Sequence, residues 1–170
     1  KPASEDGMSI DRVREYFAEH GKEECVREFE VSSATVELAS VAVGVIPARI
    51  AKTLSFKVGD GCALIVTAGD AWTDNSKFKE FFKTKAKMLH PDEALEFTGY
   101  EVGGICPFAL PSGNDVKVYT DVSLQRFETV FPAAGSANSA VKLTCDELFR
   151  YSNSSGWIDV CKGWQEDKIR

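Results

Sequence analysis

The sequence contains few of the residues that build metal centres and disulfide frameworks. Histidine occurs only twice, as His20 and His90, which excludes a multi-histidine metal centre and leaves little material for a Ser-His-Asp triad. The five cysteines are odd in number, widely spaced and never in a CxxC arrangement. We therefore expect neither a secreted disulfide scaffold nor a structural zinc site, but reduced cysteines in a cytoplasmic protein without metal or cofactor.

Long apolar runs and an excess of basic residues are also missing. The longest apolar run, residues 41–47, falls well short of the roughly 20 residues that cross a membrane. Twenty Lys and Arg face 26 Asp and Glu, a net charge of −6, and an acidic chain is poorly suited to non-specific nucleic-acid binding. We predict no membrane and no DNA partner, while RNA held at one local patch stays open.

The common phosphate-binding and hydrolase motifs are absent as well. The chain has no GxGxxG, GxxxxGK[ST], HExxH or GxSxG sequence. Its 170 residues, 44% hydrophobic and 27% charged, have the size and composition of one globular domain. We predict a loose leader at residues 1–8 and a single domain at residues 9–170. Helical and strand-like segments mix irregularly, which indicates an α+β fold with a mostly antiparallel sheet and helices packed around it.

Lys52 is an unusual residue for the strand in which it lies. Residues 52–58 alternate with the period of a strand, so that Lys52 shares a face with the apolar Leu54 and Phe56. A buried lysine is costly unless it meets a polar cavity or a partner. Lys52 is therefore either a functional lysine that faces a cavity or a lysine whose ammonium group reaches water at the strand end.

Two further segments are rich in small residues. Residues 99–108 (GYEVGGICPF) place two adjacent glycines before a proline, which favours backbone that approaches another group closely. The amide N–H groups of such a turn can hold a carbonyl or carboxylate oxygen. Residues 133–139 (AAGSANS) can form a pocket floor. A plain connector and an ordinary turn are the structural alternatives.

The remaining reactive side chains have ordinary interpretations. Cys106 has no base or positive neighbour nearby in sequence, which favours a packed thiol over a nucleophile. His20 and His90 lie at predicted helix ends and are expected to be surface or capping residues. One basic cluster could contact phosphates or form the solvated side of a helix. Its members are Lys77, Lys79, Lys83, Lys85 and Lys87.

Four segments between residues 35 and 148, taken together, resemble the YbaK/ProRS-associated family of aminoacyl-tRNA editing domains. They are TVELASVAVGVIPARIAKTLSFK, CALIVTAGD, TGYEVGGICPFAL and FPAAGSANSAVKLTCDEL. The first looks like the helix and lysine strand of the family, and the third looks like its glycine–proline motif. The order and separation of the lysine and glycine–proline blocks make the resemblance specific.

The resemblance implies a curved, partly barrel-like sheet surrounded by helices, and deacylation of mischarged tRNA in trans. It implies a catalytic role for Lys52 and a contact from Gly104 to the ester carbonyl. It places the other substrate-binding positions at Gly103, Ile105, Cys106, Pro107, Gly135, Ser136 and Ser139. A hydroxyl or thiol of the substrate, or a bound water, would supply the attacking group. The expected partners are the acceptor end of an aminoacyl-tRNA, with tRNA-Pro first, and a prolyl-tRNA synthetase.

The tRNA contact is assigned to Lys77, Lys79 and Lys83. The sequence departs from the family pattern at Cys106, at Ala109 and at Ser139, where many relatives carry histidine or aspartate. This last difference keeps a second hypothesis open, a binding module of the same fold that has little or no activity. A thiol enzyme that uses Cys106 is a third hypothesis.

Overall fold

The structure, a computed structural model, describes residues 2–165 of the chain, and their side chains from residue 9 onward. The helices are α1 (Pro2–Glu19), α2 (Val36–Val43), α3 (Asn75–Phe82), α4 (Pro91–Thr98) and α5 (Cys145–Tyr151). The strands are β1 (Val26–Glu28), β2 (Ile50–Val58), β3 (Gly61–Ala68), β4 (Trp72–Thr73), β5 (Val116–Asp121), β6 (Thr129–Pro132), β7 (Ser139–Val141), β8 (Leu143–Thr144), β9 (Trp157–Ile158) and β10 (Cys161–Lys162). No helix of this part of the chain is long and apolar enough to cross a membrane.

A curled sheet of six strands forms the centre of the domain, in the order β8-β6-β2-β3-β5-β9. The predicted α+β class is confirmed. The sheet is mixed, because β2 pairs with β6, β3 with β5 and β5 with β9 in parallel. The sequence pattern indicated mostly antiparallel pairing. The connection from β3 to β5 contains α3 and α4, and a crossover of that length allows parallel neighbours.

The strand pattern of residues 52–58, the Gly-Asp-Gly turn at 59–61 and the apolar segment 63–67 predict a β-hairpin, and β2 and β3 form it. Gly59 takes a φ of +60° at the turn, a conformation that glycine adopts without strain. All eight residues of β3 are buried, as expected for a strand covered on both faces. On one side Phe17 of α1 packs edge-to-face against Phe108 and Tyr151. These three rings belong to the same core cluster as most of the buried residues of β3.

The first helix begins earlier than the sequence pattern predicts. Its apolar stripe of Ile10, Val13 and Phe17 is buried, as expected. However, the backbone is already helical from Pro2, so the predicted loose leader is corrected for residues 2–8, and Lys1 lies outside the described residues. Residues 2–8 carry no apolar stripe, but a helix, once nucleated, gains one hydrogen bond for each residue it adds.

One edge of β2 is only partly covered, and this gap positions the site. Along its other edge β2 pairs with β3 from Ala51 to Val58. On the partly covered edge it pairs with β6 at Ile50 and Ala51 only. Further along the same edge, Phe56 pairs with Met88 through a single antiparallel β-bridge. Residues 52–54 between these two contacts have no strand partner on this edge among the strands that the structure describes.

Candidate functional site

A cavity of about 240 Å³ opens beside the uncovered edge of β2. Its walls come from α2, β2, β6, β7 and the segments around residues 88 and 103. The lining is mostly apolar and small, and it includes Ala39, Ile50, Leu54, Ile105, Phe131 and Ala140. This volume lies below the range of about 300–1,000 Å³ that holds drug-sized ligands. The cavity therefore suits a group of the size of a small amino-acid side chain.

Lys52 lines the cavity, and the residue is half-buried. Its Nζ donates hydrogen bonds to the carbonyl oxygens of Ala71, at 2.6 Å, and Gly69, at 3.4 Å. Burial lowers the pKa of Lys52 below its ordinary value, against the opposing effect of nearby acidic groups such as Asp70. The two carbonyls use two of the three ammonium N–H groups, which leaves one for a bound substrate.

The loop that holds Lys52 is itself fixed by its neighbours. The carboxylate of Asp70, between the two acceptor carbonyls, receives two hydrogen bonds from the guanidinium group of Arg126, at 2.6 and 3.0 Å. A Cβ at Gly69 would lie 2.1 Å from the carbonyl oxygen of Pro47, so only glycine fits there. Sequence reasoning did not identify this loop as part of the site. A bidentate ion pair with little exposure gives the loop one conformation.

The structure brings the glycine–proline segment to the cavity, but Gly104 lies behind the lining. Gly103 and Ile105 line the cavity directly. The N–H of Gly104 donates to the carbonyl of Glu101 at 3.0 Å, so this amide is already engaged. A Cβ at Gly104 would lie 2.8 Å from backbone atoms of Ser136. Glycine is thus required because the two predicted small-residue segments pack backbone against backbone.

The small-residue turn contributes one residue to the lining. Ser139 lines the cavity and is 2% exposed. Its Oγ lies 2.7 Å from the Oγ of Ser136, which is buried behind it. Gly135 has a φ of +90° and faces Tyr100, away from the lining. The two serines thus form a buried hydroxyl pair at the back of the cavity.

Cys106 and Pro107 also lie outside the lining. Cys106 is fully buried, and burial raises the pKa of its thiol to about 12. Pro107 lines a separate groove together with Tyr16 and Tyr151. A thiol with so high a pKa is almost entirely protonated near neutral pH and is a poor nucleophile. The geometry therefore disfavours the thiol-enzyme hypothesis.

We expect Cys106→Ala to retain the full catalytic rate of any hydrolysis that the cavity supports. The thiol lies outside the lining, where it contacts the carbonyl of Phe108 at 4.0 Å and the hydroxyl group of Tyr100. The measurement is kcat of the variant against wild type, with a melting curve to show the cost of the lost packing. A large drop in kcat at unchanged Tm would instead show that Cys106 takes part in the reaction.

The site contains residues that the sequence pattern did not reveal. Thr53 lines the cavity, and its buried Oγ1 has no hydrogen-bond partner among the side chains that the structure describes. Met88 and Leu89, which pair with the end of β2, also line the cavity. The alternation of β2 predicts that Thr53 lies on the face opposite Lys52, together with Lys57. Only the missing strand neighbour, which is not visible in a local pattern, turns this edge into a cavity wall.

Lys77 and Lys79 lie on α3 and Lys83 is its C-cap residue, and these predicted tRNA-contact lysines differ in their surroundings. The Nζ of Lys77 donates to Asp159 at 3.1 Å and to the carbonyl of Cys161 at 3.2 Å. Lys79 and Lys83 are exposed.

The two histidines have the surface and capping positions that the sequence predicts. His20 packs on aromatic rings at the end of α1, and the N–H of His90 donates to Glu93 at the start of α4. Residues 9–165 contain no group of three or more potential metal ligands.

Comparison with known proteins decides the family. The profile of the aminoacyl-tRNA editing domain family matches residues 30–151. The chain belongs to this family. This editing domain is 55% identical over 159 residues to the uncharacterized protein YwhH of Bacillus subtilis. The match covers 93% of this chain and 100% of YwhH.

Other relatives of this editing domain are parts of larger proteins or are solved structures. It is 31% identical over 113 residues to the proline–tRNA ligase of Thermotoga maritima, which covers 65% of this chain but 19% of the ligase. The structure of a proposed trans-editing enzyme for prolyl-tRNA synthetase superposes with a TM-score of 0.81 at 26% identity, covering 91% of this chain and 98% of that one. The hypothetical protein APE2540 gives a TM-score of 0.72 at 26% identity, covering 81% and 90%.

Proposed function

We propose that this editing domain hydrolyses, in trans, the ester bond of a tRNA charged with the wrong small amino acid, with tRNA-Pro as the first candidate. The observation that carries the proposal is the half-buried Lys52 at the wall of a small apolar cavity. The cavity would take the amino-acid side chain, and Lys52 would stand beside the ester.

The proposed mechanism needs no nucleophile or base from the protein. The free N–H of Lys52 would stabilise the negative charge that develops on the ester carbonyl oxygen. A water molecule, or a hydroxyl or thiol of the substrate, would attack the carbonyl carbon, and the ribose hydroxyl would leave. Hydrolysis by water gives the free amino acid and uncharged tRNA.

The glycine–proline loop would assist at the same oxygen. Within residues 9–165, the N–H groups of Gly103 and Ile105 donate to no backbone carbonyl. Both residues line the cavity. We therefore assign the carbonyl contact to these amides and give Gly104 a positioning role. Its close packing on Ser136 brings the loop to the cavity.

The size of the cavity gives the proposed activity its selectivity. A synthetase cannot strongly reject a smaller amino acid by binding alone, because one methylene is worth only about 1–3 kcal/mol. A second, smaller site can hydrolyse the products that are small enough to enter it. The lining residues Ala39, Ala133 and Ala140 keep the cavity open for such a group.

The test is a deacylation panel of Cys-, Ala-, Ser- and Pro-tRNA-Pro with wild type and Lys52→Ala. Selective hydrolysis of one mischarged species, lost in the variant, is the expected result and would name the substrate. If a well-folded wild-type protein hydrolyses none of the four, the deacylase proposal fails for tRNA-Pro.

Ser139 supports a second candidate, a binding module without turnover. Its buried hydroxyl bonds to Ser136 and offers neither a carboxylate nor an imidazole to the cavity. Such a module would bind a small ligand, a tRNA end or a synthetase. Saturable binding of uncharged tRNA without deacylation would favour it.

The proposed partners are the acceptor end of an aminoacyl-tRNA and a prolyl-tRNA synthetase, in the cytoplasm. For the tRNA contact we expect Lys79→Ala combined with Lys83→Ala to raise KM several-fold at unchanged kcat, because these exposed lysines neutralise phosphates. The salt dependence of KM should become shallower. Lys77→Ala should have a smaller effect, since Lys77 is already paired with Asp159.

The control for the lysine prediction is Lys142→Ala, an exposed lysine outside the cluster. It should leave KM and its salt dependence unchanged. An equal rise of KM in the control and in the double variant would show a general charge effect, and Lys79 and Lys83 would then not be the tRNA contact.

A further inference from the structure

An exposed tryptophan stands beside the proposed catalytic lysine. Trp72 is 66% exposed, and the centroid of its ring lies 5.1 Å from the Nζ of Lys52. Phe81 of α3 is another exposed aromatic residue, but it packs against Phe82 and against Tyr119 of β5. Trp72 makes no such ring contact within residues 9–165. Its indole thus offers the ring surface that Lys52 does not cover to a ligand at the site.

The backbone around Trp72 holds the indole in place. Strand β4 pairs with β10, with Trp72 opposite Lys162. A Cβ at Gly163 would lie 2.9 Å from Cδ1 of Trp72, so the glycine lets the indole pack closely on the chain. The N–H of Asp74 donates to the carbonyl of Val160 at 2.8 Å and closes the same unit. A side chain fixed in this way loses little conformational entropy when a ligand stacks on it.

The cavity itself gives a nucleotide base no stacking partner. Its one aromatic lining residue is Phe131, which is 4% exposed and has the guanidinium group of Arg49 at 5.3 Å from its ring centroid. A base joined to the ester must therefore lie outside the cavity. Only one ribose separates the ester from the base in an aminoacyl-tRNA, so a base whose ester lies at Lys52 must lie close to that lysine. Trp72 is the exposed aromatic residue in that position.

We propose that Trp72 is a stacking platform for the terminal adenine base of the tRNA acceptor end. The inference rests on the proposed function, since it takes the ester to lie at Lys52. Aromatic side chains commonly bind unpaired bases by stacking, which is tolerant of sequence. Lys52 on the cavity side and Trp72 on the outer side would then hold the two ends of the same terminal nucleotide.

The test uses two uncharged RNA microhelices that differ only in the last position, adenosine or an abasic ribose. Binding to each is measured by anisotropy of a 5′ label, for wild type, Trp72→Leu and Trp72→Phe. We expect wild type to bind the adenosine-ended RNA about tenfold more tightly than the abasic one. Trp72→Leu should lose this preference, and Trp72→Phe should keep most of it because the phenyl ring still stacks.

The abasic RNA is the matched control. Trp72→Leu should bind it as wild type does, since there is no base to stack. If Trp72→Leu weakens both RNAs equally, or if wild type shows no preference, the stacking proposal is overturned. A lack of measurable binding by wild type counts as no preference.

Turnover separates this failure from a failure of the proposed function. Absence of deacylation by wild type would reject the proposed function, whatever Trp72 does. Deacylation by wild type with an unchanged KM in Trp72→Leu would reject the stacking platform alone. The expected result is a KM raised about tenfold in Trp72→Leu and largely restored in Trp72→Phe.

Discussion

Lys52→Met is expected to lower kcat/KM for deacylation by about 100-fold or more and to leave the fold intact. The variant removes the N–H that would face the developing oxyanion, and loss of one such donor commonly costs about 10²–10³ in rate. The methionine keeps the apolar stem of the lysine as far as the Cε position. The measurement is single-turnover deacylation beside a thermal melt, with Lys57→Met as control because Lys57 lies exposed on the same strand.

The same variant should be about as stable as wild type near neutral pH, because removal of the partly buried charge offsets the loss of the hydrogen bonds to Gly69 and Ala71. Burial lowers the pKa of Lys52 in the folded state, so the unfolded chain binds this proton more tightly than the folded one. The charge therefore costs stability below the lowered pKa, and this cost is relieved as the pH rises through it. A Tm well below that of wild type, or full activity in Lys52→Met, would contradict the assignment.

The pH dependence of wild type follows from the same shift. Since the protonated lysine is the active form, activity should fall on the alkaline side at a lower pH than an ordinary lysine would give. Lys52→Arg keeps its charge throughout that range, so any residual activity of this variant should lack the alkaline fall. Rates must be corrected for the spontaneous hydrolysis of the ester.

Local signals in the sequence were sufficient for most of the elements. The turn at Gly59 and the alternation of residues 52–58 define the β2–β3 hairpin. The capping residue Thr144 and the acid three positions later define the start of α5, and both capping hydrogen bonds are present. The sequence offers Ser33 or Thr35 as the N-cap of α2 and Gly44 as its end, and the structure has Thr35 and Gly44 in these positions. Each of these signals acts within a few residues, which is why the pattern reveals it.

Long-range pairing was not accessible in the same way. The parallel contact of β2 with β6 joins segments about 80 positions apart, and no local period encodes it. This contact ends after Ala51 and leaves the gap that becomes the cavity. Hence Lys52 could be singled out from its apolar strand face, but Thr53, on the opposite face of the pattern, could not.

The glycine–proline segment shows a similar division. Its adjacent glycines indicated a close backbone approach, and the structure has one. The partner of Gly104, the backbone of Ser136, was not predictable, nor was the engagement of its N–H by Glu101. The glycine at position 104 therefore indicated close packing from the sequence alone. Which amides can contact the ester carbonyl became clear only from the fold.

Breaking the pair of Asp70 and Arg126 is expected to slow deacylation about 10- to 100-fold without a comparable change in KM. Neither side chain lines the cavity. The pair fixes the loop whose carbonyls, at Gly69 and Ala71, hold the Lys52 ammonium. A displacement of about 1 Å in a catalytic group can cost two orders of magnitude in rate. The measurement is kcat and KM for Asp70→Asn and Arg126→Met.

The alkaline limb of the pH profile separates positioning from a merely structural role. The carboxylate of Asp70 raises the pKa of Lys52, so Asp70→Asn should move the alkaline fall to lower pH. Arg126→Met leaves that carboxylate unpaired beside Lys52 and should move the fall to higher pH or leave it unchanged. Two variants that break the same ion pair would thus shift the profile differently, which loss of fold cannot do. Arg14→Met, which breaks the more exposed pair with Glu28, is the control and should change neither kcat nor the profile.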